Sequence, residues 1–340
     1  MAKYKPGEAR QWALESLEGF CGCVSPTFTD DLSGLNEKAI RHDVRREREL
    51  GMGGVLIVSE GGTTLDEYKR MIEICVDEAG DQLVTIVHAS QPTFEATIDA
   101  LKHGERVGAD LALLSYPLTY YPVSLDEIFE DTKRLADSTR LGIVIFAMDL
   151  WNFGRIHPAA FPTALLRRLV DACPNIAVIK NEVGLPYGGG RVDVFERFLD
   201  IVVVTDPMEY NAPIWIKNYG MRFVGTSNYE YFGDALPKVL KLLSDPATWD
   251  EGMELYWRLT PARKANSAVT GAAQEGTALV SRALWKYQGW LHGFNGGPLR
   301  APLPRIHAPQ MAALRAGAVA AGLPVTDDPD ETFWVGRNPA

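Results

Sequence analysis

The chain of 340 residues is 46% hydrophobic and carries a formal charge of −10, enough apolar material for one large barrel with an appendage or for two ordinary domains. So acidic a chain has no dominant basic face, which excludes a nucleic acid or an anionic membrane as its main partner. The four cysteines lack metal or redox spacing, the N-terminus lacks an apolar leader, and no run approaches the ~20 apolar residues of a membrane span, so the expectation is a soluble, cytoplasmic protein with reduced cysteines.

A short helix is expected over about residues 8–18, and from there strands and helices alternate. Short apolar runs fall at Gly22–Ser25, Val55–Val58, Leu83–Val87, Leu111–Ser115, Ile143–Ala147, Ala177–Lys180, Ile201–Thr205 and Arg222–Gly225, as expected of parallel strands covered on both faces. Between them stand Leu65–Glu78, Thr93–Val107, Leu125–Ser138 and Phe161–Ala172, with apolar positions at helical spacing. Gly108 and Gly220 mark two helix ends. Eight strand–helix repeats in about 240 residues predict a (β/α)8 TIM barrel over 1–245. The rival, an open doubly wound sheet, would carry a Gly-x-Gly-x-x-Gly turn after its first strand. Gly188-Gly189-Gly190 has no phosphate-loop lysine beside it and reads as a flexible loop. Trp249–Asn266, Ala273–Trp290 and Pro309–Ala321 then read as three helices of a C-terminal appendage over 246–325. An acidic tail over 326–340 follows, mobile or docked.

In a barrel the reactive groups stand at the C-terminal ends of strands. Lys180 ends the sixth apolar run, Asn175-Ile-Ala-Val-Ile-Lys180. Burial disfavours an ammonium, and a lysine so placed attacks a carbonyl as the free amine, unless it merely pairs with Glu182. Pro117-Leu-Thr-Tyr120-Tyr121-Pro122 follows the fourth strand, where a tyrosine would pass protons or simply pack. Ser59-Glu60-Gly61-Gly62-Thr63-Thr64 follows the second, its small residues leaving amides open to a carboxylate. His88 ends the third strand, as a site residue or a hydrogen-bonded core histidine. Glu60 and Glu182, at strand ends, read as an extra acid or base or as the counter-charge to Lys180. Trp151, Tyr187, Tyr210, Trp215, Tyr229 and Tyr231 fall in or near loops on the same side and together suggest an aromatic-walled cleft.

These features resemble the dihydrodipicolinate synthase / N-acetylneuraminate lyase superfamily of class I aldolases, over roughly residues 15–325. The Gly-Thr-Thr-type loop, the Tyr-bearing Pro loop and Ile179-Lys180 carry the resemblance. Gly225-Thr-Ser-Asn228 and Gly296-Gly297-Pro298-Leu-Arg300-Ala-Pro302 support it. What it implies is a barrel with a helical appendage, a homo-oligomer (tetramer or dimer), and no metal or cofactor. Lys180 would form an imine with pyruvate or another 2-oxo acid, and Tyr121 or Tyr120 would shuttle protons. Glu60, Gly61, Gly62, Thr63, Thr64, His88, Trp151, Glu182, Thr226 and Asn228 would contact the substrate.

The departures narrow the substrate. An ungapped alignment puts Ser59-Glu60-Gly61-Gly62-Thr63 opposite the family's Gly-Thr-Thr-Gly-Glu, and a two-residue shift puts Gly62-Thr63-Thr64 there. The family tyrosine position holds Thr119. Trp151 falls nearest the arginine that recognises a substrate carboxylate in the lysine-biosynthesis synthase, with Arg155 four residues on, so that synthase is not the expected identity. Loss of a polar anchor and gain of an indole point to a bulkier or more apolar second substrate half. The expected activity is a pyruvate-linked aldolase or hydratase-aldolase. The alternatives are a dehydratase of 2-keto-3-deoxy sugar acids through the same imine, and a barrel that binds without reacting.

Overall fold

The computed structural model describes residues 2–182, 189–275 and 279–339. In chain order they form α1 (Ala9–Ser16), β1 (Gly19–Val24), α2 (Glu37–Glu49), β2 (Gly54–Ile57), α3 (Leu65–Ala79), β3 (Val84–Ala89), α4 (Phe94–Val107), β4 (Leu111–Leu114), α5 (Leu125–Asp137), β5 (Gly142–Ile145), α6 (Thr163–Ala172), β6 (Ile176–Lys180), α7 (Gly189–Phe198), β7 (Val203–Thr205), α8 (Ala212–Tyr219) and β8 (Phe223–Gly225). There follow α9 (Ala235–Leu243), α10 (Trp249–Arg258), α11 (Thr260–Asn266), the short α12 (Ala272–Gln274), α13 (Arg282–Leu291) and α14 (Ala308–Ala320). The strands belong to one sheet in the order β7-β6-β5-β4-β3-β2-β1-β8, and with a helix after each strand this is the (β/α)8 barrel fold.

Two compact units share these elements. The first comprises 1–18 and 84–225. Its strands pair in parallel from β3 to β7, and Lys180 stands opposite Thr205. β3 to β6 are buried along their whole length, which is why they read as continuous apolar runs rather than as alternation. Thr93 and Ser124 cap α4 and α5 through their side-chain oxygens, and left-handed Gly108 and Gly220 end α4 and α8. Arg10 of α1 donates to the carbonyls of Val170, Cys173 and Ile176, tying the N-terminal helix to the start of β6.

The second unit comprises 19–83 and 226–340. There β1 pairs with β2 in parallel, with Gly22 opposite Val55. Thr64 opens α3 with a reciprocal capping box to Glu67. The sequence reading put no helix at α2, whose chain Glu-Lys-Ala-Ile-Arg-His-Asp-Val-Arg-Arg-Glu-Arg-Glu is mostly charged, yet Ala39, Ile40, Asp43, Val44 and Glu47 lie buried along one face. It also joined α10 and α11 into one helix; Leu259 separates them. The helix expected over Ala273–Trp290 is Arg282–Leu291 instead, with 276–278 outside the described residues, and nearly every one of its side chains is buried. Residues of the C-terminal segment dock: Phe333 is fully buried and Arg315 pairs with Asp330.

All four cysteines are free. Among the described residues no helix is long and apolar enough to cross a membrane. The glycine loop differs from expectation: Gly189 and Gly190 begin α7, while Gly188 and Tyr187 lie outside the described residues.

Candidate active site

In the first unit Lys180 ends β6 with its side chain only 6% exposed. Its Nζ lies 2.8 Å from Glu182 Oε2 and 4.6 Å from the centroid of Phe146, the residue just past β5. The ring adds a cation–π contact to the ion pair. An amine held among apolar side chains, with one carboxylate to receive its proton, is equipped to attack a carbonyl.

The turn after β6 is tied down by a second network. Asn181 donates its amide to Thr205 O (2.7 Å) and its side-chain nitrogen to Arg191 O (3.1 Å). Arg191 Nη2 returns a bond to the carbonyl of Glu182 (3.0 Å), while Nη1 pairs with the buried Asp206 at 2.7 Å. Asp206 also accepts from Trp215 Nε1 (2.8 Å), Asn211 (2.9 Å) and the amide of Met208 (2.9 Å). So fully hydrogen-bonded a buried carboxylate makes a rigid anchor. Phe146, Arg191 and Asp206 escaped the sequence reading.

An aromatic cluster continues from Phe146. Trp151, 3% exposed, meets Phe146 edge-on (5.4 Å between centroids), meets Tyr116 edge-on (5.0 Å) and stacks on Phe153 (5.9 Å). Its indole N–H donates to Tyr116 O at 3.1 Å. The tyrosines considered as proton shuttles are engaged elsewhere. Tyr120 stacks on Tyr116 and donates its hydroxyl to Asp131 on α5 at 2.8 Å. Burial and Asp131 together push its phenol well above the ordinary range. Tyr121 is 68% exposed, its ring beneath the Arg155 guanidinium at 3.6 Å. His88 is buried with Nε2 3.0 Å from Ser115 Oγ.

In the second unit the loop after β2 is built mainly to hold itself. The Gly61 amide donates to Ser59 O (3.1 Å) and the Thr64 amide to Glu67 (2.8 Å), so two of its amides are already used. Gly62 sits at φ 82°, and a Cβ there would run into the Ala301 carbonyl, so glycine is required on both counts. The Thr64 hydroxyl accepts from Glu67 N (3.2 Å). Glu60 accepts from Arg282 Nη2 (2.6 Å) and Nε (3.2 Å). Asn228 donates to Gln288 at 2.6 Å, and Thr226 is buried.

The same unit holds a buried charged cluster that the sequence reading passed over. Glu47 and Asp43 of α2, Glu230 after β8, and Lys286 and Arg282 of α13 are all buried. Glu230 accepts from the Cys23 amide, and among the described residues neither Glu47 oxygen meets a well-aligned donor. Gly22 makes the room: a Cβ there would lie 2.6 Å from both oxygens of Glu47 and against Glu230. Burial, then the neighbouring Glu230 charge, drives the Glu47 carboxyl far above its ordinary range, and burial likewise raises Glu230. Lys286 donates to Pro26 O (2.8 Å) and Thr27 Oγ1, and burial, opposed by Asp43, lowers its amine to about 8. The signal for this cluster was two acids on the apolar face of one helix.

Comparison with known proteins bears on both units. Residues 17–188 match the model of the dihydrodipicolinate synthetase family. A 4-hydroxy-tetrahydrodipicolinate synthase from Methanopyrus kandleri is 26% identical over 263 residues, 73% of this chain and 81% of that protein. An N-acetylneuraminate lyase from Rhizobium meliloti is 26% identical over 316 residues, 88% and 93% of the two chains. The crystal structure of a prophage protein of the dihydrodipicolinic acid synthase family from E. coli K12, in complex with pyruvate, matches with a TM-score of 0.75 at 17% identity, covering 91% of this chain and 99% of that one. At that identity the likeness shows the barrel fold.

Proposed function

The chain belongs to the dihydrodipicolinate synthetase family and is a carbon–carbon lyase of the class I aldolase type, and from that premise we propose that Lys180 forms a Schiff base with the ketone of a 2-oxo acid, pyruvate in the simplest case. One observation carries this reading: a nearly buried amine closes β6, with a carboxylate 2.8 Å away. The C-terminal end of a barrel strand is where this fold keeps its chemistry. Once the ketone is an iminium, its positive nitrogen accepts the electron pair released as the carbon–carbon bond breaks. The resulting enamine, protonated at carbon and hydrolysed, returns the 2-oxo acid and the free lysine.

The second half of the substrate is proposed to be bulky or aromatic, with an aldolase or hydratase-aldolase outcome. The support is the cluster of Phe146, Tyr116, Trp151 and Phe153, whose nearest ring touches the lysine. Such a wall favours an apolar partner over a polyhydroxylated one, which weighs against the sugar-acid dehydratase.

The test is reductive trapping. The protein is incubated with pyruvate and sodium borohydride, the intact chain weighed and the modified peptide mapped. A reduced pyruvate adduct on Lys180, absent from K180R, is the expected result. A chain unmodified by pyruvate and again by a bulkier 2-oxo acid would overturn the imine.

A further inference from the structure

We propose that Glu182 is the acid–base residue of imine formation, exchanging protons with the Lys180 amine and with the carbinolamine hydroxyl; the proposal rests on the imine reading above and adds the group that moves its protons. Lysine attack requires three proton movements close to one nitrogen, and a side chain in hydrogen-bond reach must supply them. Among the described residues, Glu182 is the titratable side chain within ion-pair distance of Lys180 Nζ.

The tyrosines are placed for other work. The Tyr120 hydroxyl is donated to Asp131, the Tyr116 hydroxyl lies 2.5 Å from Thr132, and Tyr121 is turned out under Arg155. By contrast Glu182 Oε2 lies 2.8 Å from Nζ and, among the described residues, has no hydrogen-bond partner that would compete for it. Its lone pairs are free to take a proton, and the side chain, 22% exposed, is neither locked in the core nor loose in solvent.

The backbone beneath it is held as a functional carboxylate requires. Glu182 N–H donates to Lys180 O at 3.0 Å, its carbonyl accepts from Arg191, and Arg191 is fixed by Asp206. Arg191 is therefore a positioning residue, acting through the turn that carries Glu182.

The steps balance. Glu182 takes a proton from the ammonium, leaving a neutral amine and a carboxylic acid. The nitrogen lone pair forms the C–N bond at C2 of the 2-oxo acid, and the carbonyl π pair moves to oxygen, which gains a proton from the nitrogen. The acid on Glu182 then protonates the carbinolamine hydroxyl; the C–O bond breaks, water leaves, and the nitrogen lone pair closes the iminium. The sum is ammonium plus ketone giving iminium plus water, with Glu182 returned as carboxylate.

The experiment compares wild type, E182Q and E182D by quenching pyruvate mixtures with borohydride at timed intervals across pH 5.5–9.5 (about one unit either side of the working range). Expected is a slowing of adduct formation by about a hundredfold or more in E182Q, partial recovery in E182D, and a thermal midpoint in E182Q close to wild type. E182Q trapping at the wild-type rate would overturn the proposal. So would a profile merely displaced along pH and reaching the wild-type rate, since that would assign Glu182 to charge pairing alone. A wild-type protein that forms no adduct would instead remove the imine reading itself, a result distinct from either.

Discussion

Glu47→Gln should stabilise the protein, and only when the pH is high. Glu47 is fully buried, neither of its oxygens meets a well-aligned donor among the described residues, and the charge that acts on it most is another acid, Glu230. Because the folded state holds a proton on this carboxyl that the unfolded chain releases near pH 4.5, stability falls as pH rises above that value. Glutamine keeps the shape, cannot ionise, and offers an N–H to Glu230. Each pH unit above 4.5 over which the native carboxyl keeps its proton costs about 1.4 kcal/mol, so a gain of at least about 2 kcal/mol is expected at pH 8.5. With an unfolding entropy of about 2.1 cal/mol/K per residue, a chain of 340 residues rises by roughly 1.4 °C per kcal/mol, or about 3 °C here. At pH 5, where the native carboxyl is already protonated, the two proteins should melt within about 1 °C of each other. Thermal unfolding followed by circular dichroism at both pH values decides it. A lower midpoint for E47Q at pH 8.5, or the same gain at both, would refute the reasoning that the native acid carries a proton.

Tyr120→Phe should lose the hydrogen bond to Asp131 and about 1 kcal/mol of stability, and Tyr121→Phe almost none; both should trap pyruvate within about twofold of the wild-type rate, and a much slower Y120F would return the proton shuttle to tyrosine. Trp151→Ala should cost about 3–5 kcal/mol in a denaturant melt, because it empties the middle of a packed aromatic cluster; a cost under about 1 kcal/mol would show the indole to be poorly packed. His292 is buried, and burial holds its imidazole down at about 4 despite the bond to Pro324 O. The unfolded chain binds its proton first, so this residue removes stability as pH falls from 6.5 toward about 4; in H292N that contribution to the pH slope should vanish, and an unchanged slope would contradict it.

The repeat of strands was legible because buried parallel strands must be apolar throughout, and the ends predicted from that rule lie within a few residues of those found. Lys180 was legible for the same reason: a charged residue closing Ile-Ala-Val-Ile is conspicuous. What escaped depends on partners distant in the chain. Nothing in Pro117–Pro122 distinguishes Tyr120 from Tyr121, since the difference is Asp131 on the following helix. The loop after β2 looked open, but two of its amides are spent on Ser59 and Glu67. Helix α2 went unrecognised because its charges mask a buried face, and two of those charges belong to that face. The burial of Lys286 and Arg282 cannot be read locally either, since α13 has charged residues yet is enclosed nearly all round.

The second unit is assembled from two stretches of chain, 19–83 and 226–340, with Asn36 bonded to the carbonyl of Asn338. During synthesis the first stretch leaves the ribosome long before the second exists. At about 5–20 residues per second the delay is roughly seven to thirty seconds. Throughout that interval Glu47 and Asp43 lack Lys286, and His42, Arg46 and Asp43 of α2 lack their partners at Gly293, His292 and Asn295. The acids of the first stretch therefore stay in water until their partners are made, and the buried charged cluster closes only when synthesis of the chain is nearly complete.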